Sequence, residues 1–190
     1  MTSAKHPARI LLFDIETAPM KSYHWGMWDQ NIPSKMNIDE WYVMSIAWKW
    51  HGQTRTYCKI LPDFKTYKKQ PMNDKLLMEL IADLFDQADI VIGHNGDKFD
   101  IRKLQARMCY HDIDPPSPFA SVDTLKVARR HFAFSSNRLN DLGVHLGLGE
   151  KVDTGGFELW EGCMKGVKKC WALMKKYNLQ DVDLLDLHDH

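Results

Sequence analysis

The stretch ILLFDIET, residues 10–17, decides the fold of this chain. The apolar run that fills residues 10–13 and resumes at Ile15 predicts a strand covered on both faces, as a central strand is. Because side chains alternate along a strand, Asp14 and Glu16 point to the same side. Two like charges at the end of a buried strand repel each other and lose hydration, and a divalent cation is the usual compensation. The alternative is that the strand ends before Asp14 and that both acids are solvated loop residues.

Length and composition predict one folded domain over residues 1–190. The chain has 190 residues, of which 44% are hydrophobic, enough to bury a real core. Lys+Arg and Asp+Glu both total 25, so the net charge is +0 and a polyanion would have to meet a local basic patch. The four cysteines form no C-x-x-C pair, which argues against a disulfide framework or a zinc knuckle. With no signal-type or membrane-length apolar run, we expect a soluble, intracellular, cytoplasmic protein with no membrane partner.

The strands that follow the first one are interrupted by a long insertion. Residues 18–40 contain prolines, a glycine and several aromatic residues, and we expect an irregular loop beside the acids. Its aromatic side chains either stack on unpaired bases or hold the loop against the domain. Residues 41–50 and 54–60 are rich in β-branched and aromatic residues, so with the first strand they predict an antiparallel meander.

The rest of the pattern predicts helices and parallel strands. Apolar residues at helical spacing indicate a helix over residues 73–87, and the apolar strand 89–93 then returns by a parallel crossover to the side of the first strand. Further elements are expected as helix 98–111, strand 121–123, helices 124–131 and 138–146, loop 149–157 and a long closing helix 165–187. This order predicts an α/β fold with a mixed five-stranded sheet flanked by helices. Ligands of such sheets gather at the strand carboxyl ends, where Asp14 and Glu16 lie.

A second acidic position follows the fourth strand of the sheet. Asp97 and Asp100 both emerge at the sheet edge that carries Asp14. Asp97 is expected to cap the following helix, because an acid there can accept the free amides of the first turn. Asp100 lies one turn further on, next to the apolar Phe99 and Ile101, which makes it the better candidate for a site. The helix dipole also favours an acid at that position.

The closing helix supplies a third acidic position. At 100° per residue, Asp181 falls at the centre of its apolar stripe, and Tyr177 lies one turn earlier on the same side. A carboxylate in a stripe that faces the core is costly unless it is paired or bound to metal, so a buried Arg or Lys partner is the alternative to a metal. The remaining acids have simpler assignments: Asp123 is expected to cap its helix and Asp141 to lie in a first helical turn.

These positions resemble the motifs of the DEDD superfamily of 3′-5′ exonucleases, which have the ribonuclease H-like fold. The three motifs, in order, are FDIET, then Asn95-x-x-x-Phe99-Asp100, then Tyr177-Asn178-x-x-Asp181. The tyrosine in the third motif resembles the DEDDy branch, which includes proofreading domains of B-family DNA polymerases and stand-alone phage or bacterial relatives; the histidine branch would place His where Lys176 stands. Because no polymerase follows the third motif in this sequence, we expect a stand-alone exonuclease domain.

The resemblance implies a metal-dependent 3′-5′ exonuclease that releases nucleotides from the 3′ end of DNA, with RNA as the other candidate polymer. It implies that two divalent cations, Mg²⁺ or Mn²⁺, are held by Asp14, Glu16, Asp100 and Asp181, with Tyr177 hydrogen-bonding the attacking water. The residues implied to contact the terminal nucleotide are Ile15, Thr17, Asn95 and Phe99. The implied partners are single-stranded 3′ ends and proteins of replication or repair, which fits roles such as proofreading and DNA repair.

Basic residues on two predicted helices could draw the substrate despite the zero net charge. The candidates for a basic rim around the acids are Lys98, Arg102, Lys103 and Arg107 on one helix and Lys165, Lys168, Lys169, Lys175 and Lys176 on the last one. The alternative is that they form ordinary solvated helix faces.

Other functions remain open at this point. An endonuclease on the same fold would cut within a duplex, and a nucleic-acid-binding or replication-associated module would carry a vestigial site. A zinc protein would use Cys109 with His111, or His188 with His190, although neither spacing suits a closed tetrahedral site.

Overall fold

A central sheet of five strands organises the protein, whose computed structural model describes residues 7–186. The strands of the chain are β1 (Ile10–Thr17), β2 (Lys21–Ser22), β3 (Asn37–Asp39), β4 (Val43–Trp50), β5 (Tyr57–Ile60), β6 (Ile90–Gly93) and β7 (Ala120–Asp123). The sheet order is β5-β4-β1-β6-β7, so β1 is the middle strand, antiparallel to β4 and parallel to β6. Leu11, Leu12 and Phe13 are buried on its two faces, which confirms the expected central strand and the mixed sheet.

Within the described residues, six α-helices surround this sheet and complete the α/β fold. They are α1 (Lys75–Asp86), α2 (Asp100–Tyr110), α3 (Thr124–His131), α4 (Leu139–His145), α5 (Phe157–Met164) and α6 (Lys168–Asp183). Short 3₁₀ turns are η1 (Ser34–Met36), η2 (Leu61–Asp63) and η3 (Lys65–Lys68). Helix α1 leads from the antiparallel half of the sheet into β6, which is the expected crossover. None of the helices within residues 7–186 is both long and apolar enough to cross a bilayer.

Helix α5 and the start of α6 differ from the sequence prediction. No element was predicted for residues 158–164, and α6 was expected to begin at residue 165. The amides of Gly166 and Val167 instead bond back to the carbonyls of Cys163 and Gly162, so these residues close α5. Gly166 has φ 76°, the left-handed conformation that commonly ends a helix. The predicted end of the last helix at residue 187 lies outside the described residues.

Close packing between helices explains why α5 forms despite a weak helical pattern. Leu159 and Cys163 are buried, and Gly162 lies where any larger side chain would collide with the side chain of Cys170 on α6. A glycine inside a short helix lowers its intrinsic propensity, so tertiary contacts stabilise this element. Such contacts leave no periodic signal in the sequence.

The insertion before β4 is more ordered than expected. Within it β2 and β3 pair as a small antiparallel sheet, and the amide of Tyr23 donates to the carbonyl of Met36. The side chains of Trp25 and Trp28 are 95% and 81% exposed, so neither holds the insertion against the domain.

One residue of the predicted basic rim is a core residue. Arg107 is buried, and its guanidinium donates to both carboxylate oxygens of Asp74 at 2.8 and 2.6 Å. Asp74 also accepts from the Val43 amide at 2.8 Å and lies 2.6 Å from His111. The prediction that Arg107 contributes to the rim is therefore wrong, because this arginine ties α2 to the start of α1 and to β4.

Candidate active site

Three carboxylates meet at the carboxyl end of the central strand. Asp14 and Glu16 come from β1 and Asp181 comes from α6, and each offers one oxygen such that these atoms all lie within 4.8 Å of one another. Asp181 is 2% exposed. Residues separated by more than 160 positions in the sequence thus form one acidic cluster. This cluster, which we call the acidic cluster, is the one such group of potential metal ligands within residues 7–186.

A buried hydrogen-bond chain aligns α6 with β1. Asn178, one turn before Asp181, is fully buried and donates from Nδ2 to Asp14 Oδ2 at 2.7 Å. The carbonyl oxygen of the same side chain accepts from the Ser45 hydroxyl on β4 at 2.8 Å. Since both ends of the amide are used, α6 is set in the rotation that brings Asp181 to the acidic cluster.

Asp100 lies beside the acidic cluster without joining its closest group. It is 4% exposed at the start of α2, and its Oδ1 accepts from the Ile15 amide at 3.3 Å. Its charge contributes to raising the pKa of Asp14, so the two carboxyls interact electrically. The structure therefore brings three of the four predicted acids together and places the fourth, Asp100, next to them at the Ile15 amide of β1.

A lysine that the sequence prediction did not include places a positive charge beside the acidic cluster. Lys151, in the segment between α4 and α5, has its ammonium group 2.8 Å from Asp181 Oδ1 and 3.3 Å from the Tyr177 hydroxyl. Asp181 therefore has the basic partner that the sequence left open as an alternative, and it also lies with other acids that could hold a metal. A single lysine in a loop gives no periodic signal that could have identified it.

Burial and mutual repulsion dominate the electrostatics of the acids. Burial, with repulsion from Asp100, Asp181 and Glu16, raises the pKa of Asp14 well above its usual range. Burial, with repulsion from Asp181 and Asp100, raises the pKa of Glu16 to about 8, and burial raises that of Asp100 to about 7. Burial also raises the pKa of Asp181, although Lys151 opposes this. One positive charge does not compensate these acids.

Tyr177 lies where a neutral hydroxyl can act. Burial, and then the neighbouring charge of Asp181, raises the pKa of Tyr177 to about 12, so the phenol keeps its proton near neutral pH. Its ring meets the Trp160 ring edge to face at 6.1 Å. The hydroxyl can therefore donate a hydrogen bond beside the acidic cluster.

An aromatic groove lies beside Glu16, and its walls include the neighbouring residue Thr17. It has a volume of ≈ 330 Å³, and its walls include Thr17, Trp41, Phe99, Lys103, Phe157 and Trp160. The ammonium group of Lys103 lies 3.7 Å from the Trp41 ring centre, and Trp160 hydrogen-bonds Glu16. A further cavity of ≈ 400 Å³ between α3, α4 and the end of α6 is almost wholly apolar, and none of the four acids lines it.

The four residues implied to contact nucleotide occupy different environments. Thr17 and Phe99 line the aromatic groove. The side chain of Ile15 is 3% exposed and its amide is already bound to Asp100, so it offers a nucleotide little surface. Asn95 has φ 64°, and its amide donates to Asp123 at 2.9 Å.

Three other acids were expected to cap a helix or to lie in its first turn, and two of these predictions are confirmed. Asp123 accepts from the amides of Leu125 and Lys126, which confirms it as the cap of α3, and Asp141 lies in the first turn of α4. Asp97 does not cap α2; it accepts from the Lys126 ammonium at 2.6 Å. That ion pair lowers the pKa of Asp97.

The residues present fit a divalent cation. The donors of the acidic cluster are carboxylate oxygens with no histidine or cysteine among them, and hard cations such as Mg²⁺ and Mn²⁺ prefer such ligands. Burial and repulsion among the acids raise the pKa values of Asp14 and Glu16, and a bound divalent cation would oppose both effects. The alternative zinc pair of Cys109 and His111 belongs to no ligand cluster within residues 7–186, and His188 and His190 lie outside the described residues.

The mixed sheet with acids at the end of its middle strand agrees with a family to which the sequence can be assigned. A family model described as RNase_H superfamily (RNase_H_2) matches residues 11–187. The chain therefore belongs to the RNase H superfamily, which supports a nuclease acting on nucleic acid and confirms the expected fold.

One solved structure shows the same fold in a larger protein. The family B DNA polymerase from the hyperthermophilic archaeon Pyrobaculum calidifontis matches with a TM-score of 0.68 and 16% sequence identity. The match covers 95% of this chain and 24% of that polymerase chain, so the likeness concerns one part of the larger protein. No curated protein matches the sequence.

Proposed function

We propose that the protein is a metal-dependent 3′-5′ exonuclease of the DEDDy type that acts on single-stranded ends of DNA or RNA. The observation that carries this proposal is the meeting of Asp14, Glu16 and Asp181 within 4.8 Å, with Asp100 next to them and Tyr177 on the same helix as Asp181. A site of this kind suits proofreading or repair, in which mispaired 3′ ends are removed.

The chemistry requires an activated water and a stabilised leaving oxygen. When bound to the four acids, two divalent cations would supply both. Asp14, Glu16 and Asp181 offer the oxygen ligands, while Asp100 is oriented by the Ile15 amide. The Tyr177 hydroxyl, kept neutral by its high pKa, orients the water through a hydrogen bond.

The aromatic groove favours an unpaired strand over a duplex. Its walls carry Trp41, Phe99, Phe157 and Trp160, and bases stack on such side chains only when they are unpaired. Lys103 provides a positive charge in the same groove for a phosphate.

An end-labelled single strand tests the direction of cleavage. With Mg²⁺ or Mn²⁺, a 5′-labelled strand should shorten by single nucleotides, and blocking its 3′ hydroxyl should stop this. Internal fragments from a blocked strand would instead support the endonuclease. Binding without cleavage under any metal condition would support a nucleic-acid-binding or replication-associated module with a vestigial site.

A second basic surface, distant from the acids, completes the proposed substrate path. The Trp171 indole donates to the Tyr67 hydroxyl at 3.1 Å, which joins η3 to the first turns of α6. Exposed lysines flank this contact on both elements: Lys65, Lys68 and Lys69 at η3, and Lys168 and Lys169 on α6. We call these five exposed residues the lysine patch. Along α6 it lies about 20 Å from Asp181, at 1.5 Å per residue. Two other predicted rim residues are engaged elsewhere, since Lys165 pairs with Glu161 and Lys175 with Asp63.

Charge reversal at Lys168 and Lys169 should weaken binding of long substrates only. For a strand of about 20 nucleotides we expect KM to rise about tenfold. The slope of the logarithm of the binding constant against the logarithm of the salt concentration should become about 1.4 smaller in magnitude, as loss of two phosphate contacts on a single strand predicts. Cleavage of a trinucleotide, too short to reach the lysine patch, should be unchanged. Reversal of Arg129 and Arg130, exposed on α3 beyond the opposite sheet edge, is the matched control. Equal effects of both double variants would contradict this path.

A further inference from the structure

Lys151 occupies a position that its own segment holds in place. Its amide donates to Asn140 Oδ1 on α4 at 2.7 Å, and the next amide, that of Val152, donates to Gln180 Oε1 on α6 at 2.7 Å. Gln180 also donates from Nε2 to the carbonyl of Glu150. Since Gln180 precedes Asp181, the backbone of Lys151 is fastened directly beside the acidic cluster.

The side chain of Lys151 ends where a cation is needed. Its ammonium group lies 2.8 Å from Asp181 Oδ1, 3.3 Å from the Tyr177 hydroxyl and 5.0 Å from the centre of the Tyr177 ring. The charge of Asp14 also acts on it. The side chain is 21% exposed, so this pair is screened less by solvent than a surface ion pair.

The ion pair and a bound metal would compete for the same carboxylate. Asp181 contributes an oxygen to the acidic cluster, and its Oδ1 faces the Lys151 ammonium group. A divalent cation that binds Asp181 meets the lysine as a like charge at short range. The lysine side chain is a flexible stem of four carbons, so the ammonium group can move away from Asp181 while the backbone of Lys151 remains in place.

We propose that the Lys151 ammonium is an intramolecular counter-ion that holds Asp181 in the metal-free protein and is displaced when a divalent cation binds. This inference rests on the metal-binding part of the proposed function. Lys151 is thus a positioning residue that keeps Asp181 at the acidic cluster and at the same time lowers the affinity for metal.

Calorimetric titration of Mn²⁺ into the metal-free protein near neutral pH tests this role without any substrate. The Lys151→Met variant should bind Mn²⁺ about tenfold more tightly than the wild type, because the competing cation is gone. Lys151→Arg, which keeps the charge, should bind within about twofold of the wild type. Lys176→Met removes an exposed lysine next to Tyr177 and should leave the affinity unchanged.

Thermal unfolding of the same proteins gives an independent readout. Without metal, Lys151→Met should melt at least about 5 °C below the wild type, since the buried carboxylate of Asp181 has lost its partner, and Mn²⁺ should close this gap. If this variant does not fold, Lys151→Gln, which keeps a neutral donor near Asp181, replaces it in both measurements.

The outcomes separate this inference from the proposed function. Unchanged or weaker Mn²⁺ binding by the neutral variants, with a wild type that binds metal, overturns the role of Lys151 alone. A wild type that binds no divalent cation overturns the metal site and this inference with it. Tighter binding by Lys151→Met in a protein without nuclease activity supports the inference and contradicts the proposed function.

Discussion

The Asp14→Asn variant is expected to lose nuclease activity by about 10³-fold or more, the upper scale for loss of one strong electrostatic group at a reacting centre. The same change should stabilise the metal-free protein by about 1 to 2 kcal/mol near neutral pH, because it removes a half-buried carboxyl whose pKa is raised by burial and by repulsion. Asparagine retains an oxygen that can accept from Asn178. Activity assays with Mg²⁺ and thermal unfolding with chelator measure the two effects.

Opposite changes in activity and stability would mark Asp14 as a residue retained for function. Asp183→Asn is the matched control, because this exposed acid lies on the same helix as Asp181 and hydrogen-bonds Thr56 away from the acidic cluster. Its activity should stay within about twofold of the wild type, as expected for a surface change. An Asp14→Asn protein that keeps wild-type activity would contradict the proposed nuclease.

The stability of the metal-free protein should fall as the pH rises from about 5 to about 8. In the unfolded chain the carboxyls ionise near pH 4, whereas the folded protein keeps protons to higher pH, since the pKa of Glu16 is raised to about 8 and that of Asp100 to about 7. The folded state therefore binds more protons in this range, and the free energy of unfolding decreases with rising pH, in total by on the order of 3 kcal/mol.

Divalent metal should reverse this loss at the upper end of the range. A cation at one hundred times its Kd adds about 2.7 kcal/mol, or about 5 to 10 °C in Tm for a chain of this length. Thermal unfolding at several pH values, with chelator and with Mg²⁺ or Mn²⁺, measures both parts. Glu16→Gln should flatten the metal-free profile. A wild-type profile that is flat or rises with pH would show that the acids are not forced together.

The sequence predicted that the acids of β1 and α6 lie together, because both sets belong to regular elements. Side chains alternate along β1 and recur every 3.6 residues along α6, so the sequence positions of Asp14, Glu16 and Asp181 indicate which way each side chain points. Acids that point into the core then require a compensating charge. The five-stranded mixed sheet was predictable for the same reason.

Features that depend on contacts between distant segments were not predictable. Arg107 has the pattern of an exposed helix residue, yet Asp74 draws it into the core. Lys151 lies in a glycine-containing loop without periodicity, and only the fold brings it to Asp181. Helix α5 depends on its close approach to α6 at Gly162, which no local propensity reveals.

The amide of Asn178 has a consequence for how this chain can change over evolutionary time. Surrounded by core residues and fully buried, position 178 would accept leucine on hydrophobic grounds alone. Such a replacement would leave the Ser45 hydroxyl and a carboxylate oxygen of Asp14 without their partner, and α6 would lose the hydrogen bonds that align it with β1 and β4. The Asn178 side chain therefore serves both the packing of the core and the alignment of the acids, so a substitution at this position changes both.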